Sequence, residues 1–195
     1  MTCIVGVLDK KDDCVYIGAD SLVSFAYSKF LMKNKKVFKA KDNKNILMAG
    51  CGHVTLLNSL SVTENLIDEL TGLKNEVNIE HIIKHTVPKM FETASKYNCC
   101  EIENGIKVLS HSLIFAYKNQ LYLIDCNGGV IEPFDDYIAS GSGIEYALGV
   151  LSQNQDNLTV DRIKEALEAA EKHGSGIERP FYIMNTKDDE VVEIL

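Results

Sequence analysis

The order in which the hydrophobic period changes along the chain limits its architecture more than any other feature. CIVGVL (3–8) and CVYIGAD (14–20) are β-branched and apolar and flank the charged KKDD, which predicts a hairpin. KKVFKA (35–40) and NILMAG (45–50), separated by KDNK, predict a second strand pair. The period then lengthens. Leu57, Leu60, Ile67 and Leu70 recur at helical spacing over 53–70, and Ile79, Ile82, Ile83, Met90, Phe91 and Ala94 do so over 78–97, with a kink or a helix start expected near Pro88. Strands resume at 112–118, 120–126, 129–134 and 137–141. Helical spacing returns over IEYALGVLSQ and over TVDRIKEALEAAEKHG, where Thr159 is the expected N-cap and Gly174 the C-terminal stop. FYIMN and VVEIL close the chain as strands. Runs of strands alternating with helix pairs argue against a doubly wound parallel sheet and for layered sheets with helices outside.

With 195 residues, 46% of them hydrophobic, and no Pro/Gly/Ser linker or internal repeat, residues 1–195 are expected to form one domain. A formal charge of −8 without a basic stripe argues against nucleic acid as a partner. The six cysteines, at 3, 14, 51, 99, 100 and 126, form no CxxC pair. They and the scattered His53, His81, His85, His111 and His173 match no metal-site spacing, so neither a metal nor a cofactor is expected. No apolar run reaches bilayer length, and the N-terminus lacks the features of a secretory signal, so no membrane partner and a cytoplasmic location are expected.

The chain begins MTCIVGV. Removal of Met1 would leave a threonine with a hydroxyl and a free amine on one residue, a nucleophile and its own base. A free α-amine titrates near ~8, so it accepts a proton near neutral pH without extensive tuning. The plain alternative is a threonine that merely starts a strand. Asp20 stands where the second strand gives way to a loop, able either to hold a cation or to cap a turn. Lys36 enters the third strand beside Lys35, as part of a site or of a solvated basic face. MAGCG (48–52) ends the fourth strand with small residues, which suits either a backbone N–H aimed into a cleft or an ordinary strand-to-helix turn.

Taken in order, the terminal TxxVGV strand, the strand ending Gly-Ala-Asp, the Lys-Lys-aliphatic-Phe stretch, the strand ending Met-Ala-Gly and the later ASGSGxxYAxGVL (139–151) resemble the β-type subunits of the proteasome and the related bacterial HslV peptidase. These are N-terminal nucleophile hydrolases. The resemblance runs from residue 2 to about 151, and each motif alone is weak. It implies an α+β fold, a four-layer αββα sandwich of two antiparallel sheets between helix layers, and threonine peptidase activity.

Carried over residue by residue, the resemblance implies Thr2 as nucleophile after Met1 removal, with Asp20 and Lys36 as the charge pair beside it. The Gly50 N–H would be the oxyanion donor, and Ser142 would support the terminal amine. Ser24 would bind substrate backbone, and Met48 would line the pocket for the side chain before the scissile bond. Lys36 is preferred to Lys35 because strand alternation sends only one of them into the cleft. One departure stands out: families of this kind often carry an aspartate shortly before a Ser-Gly near the last helix. Here EKHGSGIE (171–178) has His173 and Gly174 there, with Ser175 retained. The partners implied are further copies in stacked rings, unfolded protein or peptide substrates, and an ATP-driven unfoldase. The alternatives are a catalytically silent shell subunit and an amidohydrolase of small amides built on the same fold.

Overall fold

The computed structural model describes residues 1–67, 77–153 and 157–195. The first hairpin forms as expected. β1 (Cys3–Asp9) and β2 (Cys14–Ala19) pair antiparallel from Ile4↔Ala19 to Asp9↔Cys14. Asp9 closes the turn by accepting the N–H groups of Lys11 and Asp12 at 2.8 and 3.0 Å. β5 (Val37–Lys39) and β6 (Ile46–Gly50) are the second expected pair. Between these pairs lies a hairpin that the residue pattern did not announce, β3 (Leu22–Phe25) with β4 (Ser28–Leu31).

After β6 comes α1 (Val54–Ser61), shorter than the helical spacing over 53–70 suggests. The Thr63 hydroxyl donates to the Ser59 carbonyl at 2.8 Å, and Asn65 adopts a left-handed conformation (φ 59°) with its N–H on Asp42. The chain therefore turns back, although Ile67 still reaches the same core as Leu57 and Leu60. Leu70 lies outside the described residues. The next helical stretch runs from α2 (Ile79–His81) through a π-helical turn (Ile82–Thr86) into α3 (Val87–Lys96). The wide turn falls just before Pro88, whose missing N–H and ring crowd a regular helix.

A second unannounced hairpin follows, β7 (Cys100–Glu103) with β8 (Ile106–Leu109). β9 (Leu113–Tyr117), β10 (Gln120–Ile124) and β12 (Tyr137–Gly141) match the expected strands. β11 keeps only Val130–Ile131 of the 129–134 run. α4 (Ile144–Leu151) and α5 (Thr159–His173) follow, then β13 (Phe181–Asn185) and β14 (Val191–Ile194). Thr159 is not the N-cap. Leu158 holds that place, and the Thr159 hydroxyl, already inside the helix, donates to Asp9 Oδ2 at 2.5 Å.

Among the described residues the main strands form two five-stranded sheets, ordered β12-β1-β2-β13-β14 and β11-β10-β9-β6-β5, with antiparallel pairing throughout. Strand alternation then sorts the side chains into layers. Cys3, Val5 and Val7 turn toward α4 and α5, meeting Ala147, Leu151, Ile163 and Leu167. Ile4 turns the other way, into a layer shared with Ile17, Leu47, Ala49, Ile114 and Leu121 between the two sheets. On the far side, Ile46, Met48 and Phe115 pack against Leu56, Leu60, Met90 and Ala94 of α1 and α3. The result is the helix–sheet–sheet–helix sandwich that the resemblance implies. Each fully buried aliphatic side chain in these layers contributes roughly 1.5–3 kcal/mol against exposure.

Candidate active site

The chain's start is pinned where β1 meets β12. The Thr2 N–H donates to Ser142 Oγ at 3.2 Å, and the Ser142 hydroxyl donates back to the Thr2 carbonyl at 3.2 Å. The Gly143 N–H reaches the same carbonyl at 3.4 Å. Gly141 makes this approach possible: it sits at φ +94°, and a Cβ there would collide with the Thr2 carbonyl oxygen. The second Gly-Ser-Gly glycine is therefore a bonding partner and the first a steric requirement.

Asp20 follows directly on β2, which holds it beside the start of β1. Its Oδ1 accepts the Cys3 N–H and its Oδ2 the Leu22 N–H, each at 3.0 Å. Lys36, just ahead of β5, reaches across from the second sheet. Its Nζ lies 3.0 and 2.9 Å from the two Asp20 oxygens, 2.6 Å from the Leu22 carbonyl and 2.9 Å from Thr2 Oγ1. Thr2 is 3% exposed, Lys36 3% and Asp20 0%. Sequence separations of 16 and 34 thus collapse into one hydrogen-bonded cluster whose ion pair is out of water.

Burial raises the Asp20 carboxyl above its ordinary value, with the Lys36 charge opposing. Burial likewise lowers the Lys36 ammonium, with Asp20 opposing. The two N–H bonds to the carboxylate and the four contacts to Nζ meet the hydrogen-bonding needs that a buried pair must satisfy. Next to them, burial and then Asp20 push the Cys3 thiol up to about 12, so it is a neutral, inert neighbour.

Gly50 closes β6 opposite Leu113, and a Cβ on it would run into Leu57 and Leu113, so the backbone there carries no side chain. Ser24 lies on the wall of an open cleft of about 460 Å³, together with Met1, Lys29, Gly176, Ile177 and Glu178. Met48 does not share that wall. It is fully buried in the core against α1 and α3, because the alternation along β6 turns 46 and 48 toward the helices and 47 and 49 toward the first sheet. Met1 covers the cluster from outside: its carbonyl accepts the Thr2 hydroxyl at 2.6 Å, and its Sδ accepts from Ser175 Oγ at 3.3 Å.

Sequence reasoning did not find three further features. Ser112 and Ser140 share a 2.6 Å hydrogen bond, and the Cys51 thiol leans on both at 3.5 and 3.7 Å, directly after Gly50. These residues come from three separate segments, and no local pattern links them. Leu22 supplies a carbonyl to Lys36, a contact invisible in any side-chain motif. The carboxylate nearest the missing aspartate, Glu171, is held by Arg179, with Nε and Nη2 at 2.9 and 2.7 Å from Oε2. That fork holds Glu171 below its ordinary carboxylate value.

Among the described residues no cluster of three metal-ligating side chains occurs, and no helix is long and apolar enough to cross a membrane. Comparison with known proteins gives a consistent result. The family model described as proteasome subunit matches residues 2–178. The ATP-dependent protease subunit HslV of Caldicellulosiruptor saccharolyticus is 29% identical over 172 residues, covering 87% of this chain and 89% of that protein. Proteasome subunit beta 2 of Pyrococcus furiosus is 32% identical over 179 residues, covering 86% and 77%. Among solved structures, the BPH protein of Thiobacillus denitrificans superposes with a TM-score of 0.70 at 16% identity, covering 93% of this chain and 96% of that one. HslV from Trypanosoma brucei gives 0.64 at 17%, covering 94% and 98%. A match across nearly the whole chain, on a sandwich of the same layers, leads to one conclusion: the chain belongs to the proteasome subunit family.

Proposed function

We propose that the chain is a threonine-type endopeptidase subunit whose nucleophile is Thr2, freed by removal of Met1. The observation that carries this reading is the buried Lys36 ammonium 2.9 Å from Thr2 Oγ1, itself held by Asp20. A hydroxyl out of bulk water with a cation against it is poised to carry negative charge.

With Met1 gone, the Thr2 nitrogen becomes a free amine, still beside Ser142 Oγ. Oγ1 attacks a peptide carbonyl, its proton passes to that amine, and Lys36 stabilises the developing oxyanion of the nucleophile. The Gly50 N–H would take the carbonyl oxygen of the tetrahedral intermediate. Collapse breaks the C–N bond and leaves an ester on Oγ1, while the ammonium of Thr2 gives its proton to the departing amine. Water then attacks the ester under the same base, restoring hydroxyl and amine. Ser24 on the cleft wall suits main-chain contacts with an extended peptide.

The names of the relatives, a proteasome subunit and an ATP-dependent protease subunit, support the wider reading. In it, copies stack into rings in the cytoplasm and degrade unfolded protein delivered by an ATP-driven unfoldase. A second reading has its own support. The Thr2 hydroxyl bonds the Met1 carbonyl, and Glu171 is committed to Arg179, so a chain that retains Met1 would be a silent shell subunit.

Intact mass of the protein isolated from cells separates the two. Loss of one methionine together with peptide hydrolysis that Thr2→Ala abolishes is the expected result. Turnover undiminished in Thr2→Ala would remove Thr2 as nucleophile, and a retained Met1 with no turnover would select the silent subunit.

A further inference from the structure

The nucleophile and the oxyanion donor proposed above sit on different sheets. Thr2 leads into β1 of the first sheet, and Gly50 ends β6 of the second. Their spacing is therefore a property of how the two sheets are fastened at this end. Lys36 makes one fastening, through Asp20 and Thr2. A second lies behind Gly50.

Strand alternation sends Ile4, Leu47, Ala49, Ile114 and Ile138 into the layer between the sheets. Continued by two residues, the same period puts Cys51, Ser112 and Ser140 at the end of that layer. Ser140 stands directly opposite Ile4, on the same face. Here apolar packing gives way to a polar knot. The Ser112 and Ser140 hydroxyls share a bond of 2.6 Å, and the Cys51 thiol lies 3.7 Å from Ser140 Oγ. The thiol also reaches both the carbonyl and the hydroxyl of Ser112 at 3.5 Å. Ser140 belongs to β12 of the first sheet, whereas Cys51 and Ser112 extend β6 and β9 of the second, so the 2.6 Å bond crosses between the sheets.

Its two ends meet the reaction geometry. Ser140 immediately precedes Gly141 and Ser142, which grip Thr2, and Cys51 immediately follows Gly50. A Cβ on Gly141 would meet Cys51 Cβ at 3.4 Å as well as the Thr2 carbonyl. His111 completes the backing: Gly52 sits at φ +102°, and a Cβ on it would overlap the His111 ring. Residues 111 and 112 thus hold residues 52 and 51. Apolar side chains could fill the same space, but dispersion contacts have no preferred direction, whereas an O–H···O bond has a preferred length and angle. A satisfied buried polar network rigidifies what it joins.

We infer that Ser112 and Ser140, with Cys51 packed against both, are positioning residues that set the distance from the Gly50 N–H to Thr2 Oγ1. This rests on the reading of Thr2 as nucleophile and Gly50 as oxyanion donor. The serines act through the Gly50–Gly52 turn on one side and the Gly141–Ser142 clamp on the other.

Peptide hydrolysis, inhibition by a peptide aldehyde, and hydrogen exchange over residues 48–53 read by mass spectrometry test the assignment on the full chain. Ser112→Ala and Ser140→Ala should each lower kcat about ten- to hundredfold with KM changed less than about threefold, as misplacing an oxyanion donor does. Because the two serines share one hydrogen bond, the double variant should be no slower than the slower single one. Inhibition by the aldehyde, whose adduct oxygen takes the oxyanion position, should weaken in step with kcat. Exchange over 48–53 should speed up about tenfold. Ser112→Thr retains the hydroxyl and should retain most of kcat. Ile138→Val thins the same layer two residues along β12 and should lower the melting temperature while leaving kcat and the 48–53 exchange as in the wild type. An equal kcat loss in Ile138→Val, or serine variants that change only KM or only the melting temperature, would overturn the positioning role. A wild-type chain without turnover counts against the protease reading instead. Exchange then decides alone: faster exchange in Ser140→Ala supports the fastening, and unchanged exchange overturns it.

Discussion

Replacing Lys36 with Met keeps most of the side-chain volume and removes only the charge and its hydrogen bonds. Asp20 is then left at 0% exposure with two backbone N–H donors and no cation. Breaking a buried pair on one side costs about 3–5 kcal/mol, a large part of the roughly 5–15 kcal/mol that holds a domain together. At about 2–4 °C per kcal/mol for a chain of this size, the melting temperature should fall by roughly 6–20 °C near pH 8. The pH dependence follows from the direction of the Asp20 shift. Burial already raises this carboxyl, and deleting Lys36 removes the largest opposing influence. A carboxyl whose folded value lies above its unfolded value binds more protons when folded, so stability falls as pH rises through that window. The Lys36→Met penalty should therefore shrink as pH is lowered toward the carboxyl range and be full above it. Adding Asp20→Asn, which removes the stranded charge, should recover part of the loss at high pH. Thermal unfolding followed by circular dichroism across about pH 5 to 8, at one protein concentration, reads all three. A drop that is the same at both ends of the range, or a double variant no better than Lys36→Met at high pH, would refute the buried-pair account.

Three further outcomes follow from the same cluster. Ser142→Ala removes the side-chain hydroxyl that both accepts from the Thr2 nitrogen and donates to its carbonyl; peptide turnover should drop by about 10²-fold with KM little changed, measured by steady-state kinetics. Gly141→Ala places a methyl against the Thr2 carbonyl oxygen at a positive φ. It should lower stability by about 1–3 kcal/mol in denaturant titration and abolish turnover. Cys3, fully buried with its thiol pushed up to about 12, should resist alkylation at neutral pH in the folded protein and react after unfolding, as read by peptide mass mapping.

Much of the architecture was legible because strands and helices differ in period, and the long buried elements display that period cleanly. β1, β12 and α5 fall where alternation and helical spacing put them. The hairpins β3–β4 and β7–β8 were not legible, since most of their residues are exposed and no buried face imposes alternation. The 53–70 run misleads for a related reason. Ile67 is apolar to fill the core, whatever backbone delivers it, so its spacing mimics a helix that ends at Ser61. Met48 shows the limit within a strand: period 2 says that 48 and 49 face opposite ways, but which of those ways is a cleft depends on what packs there.

By itself the sequence determined the kinds of group available: a threonine behind the initiator methionine, an aspartate at a strand's end, a lysine at another's start, and a Gly-Ser-Gly turn. It also determined the alternation that makes layered sheets and helices the economical way to bury them. Tertiary structure alone decided that the lysine stands 2.9 Å from the hydroxyl and that the serine meeting the Thr2 nitrogen comes from 140 positions away. It also decided that Glu171, in the last turn of α5, belongs to Arg179. The physical reason is that distance and desolvation set the strength of a charge, and both are properties of segments brought together by packing, which local order along the chain does not encode.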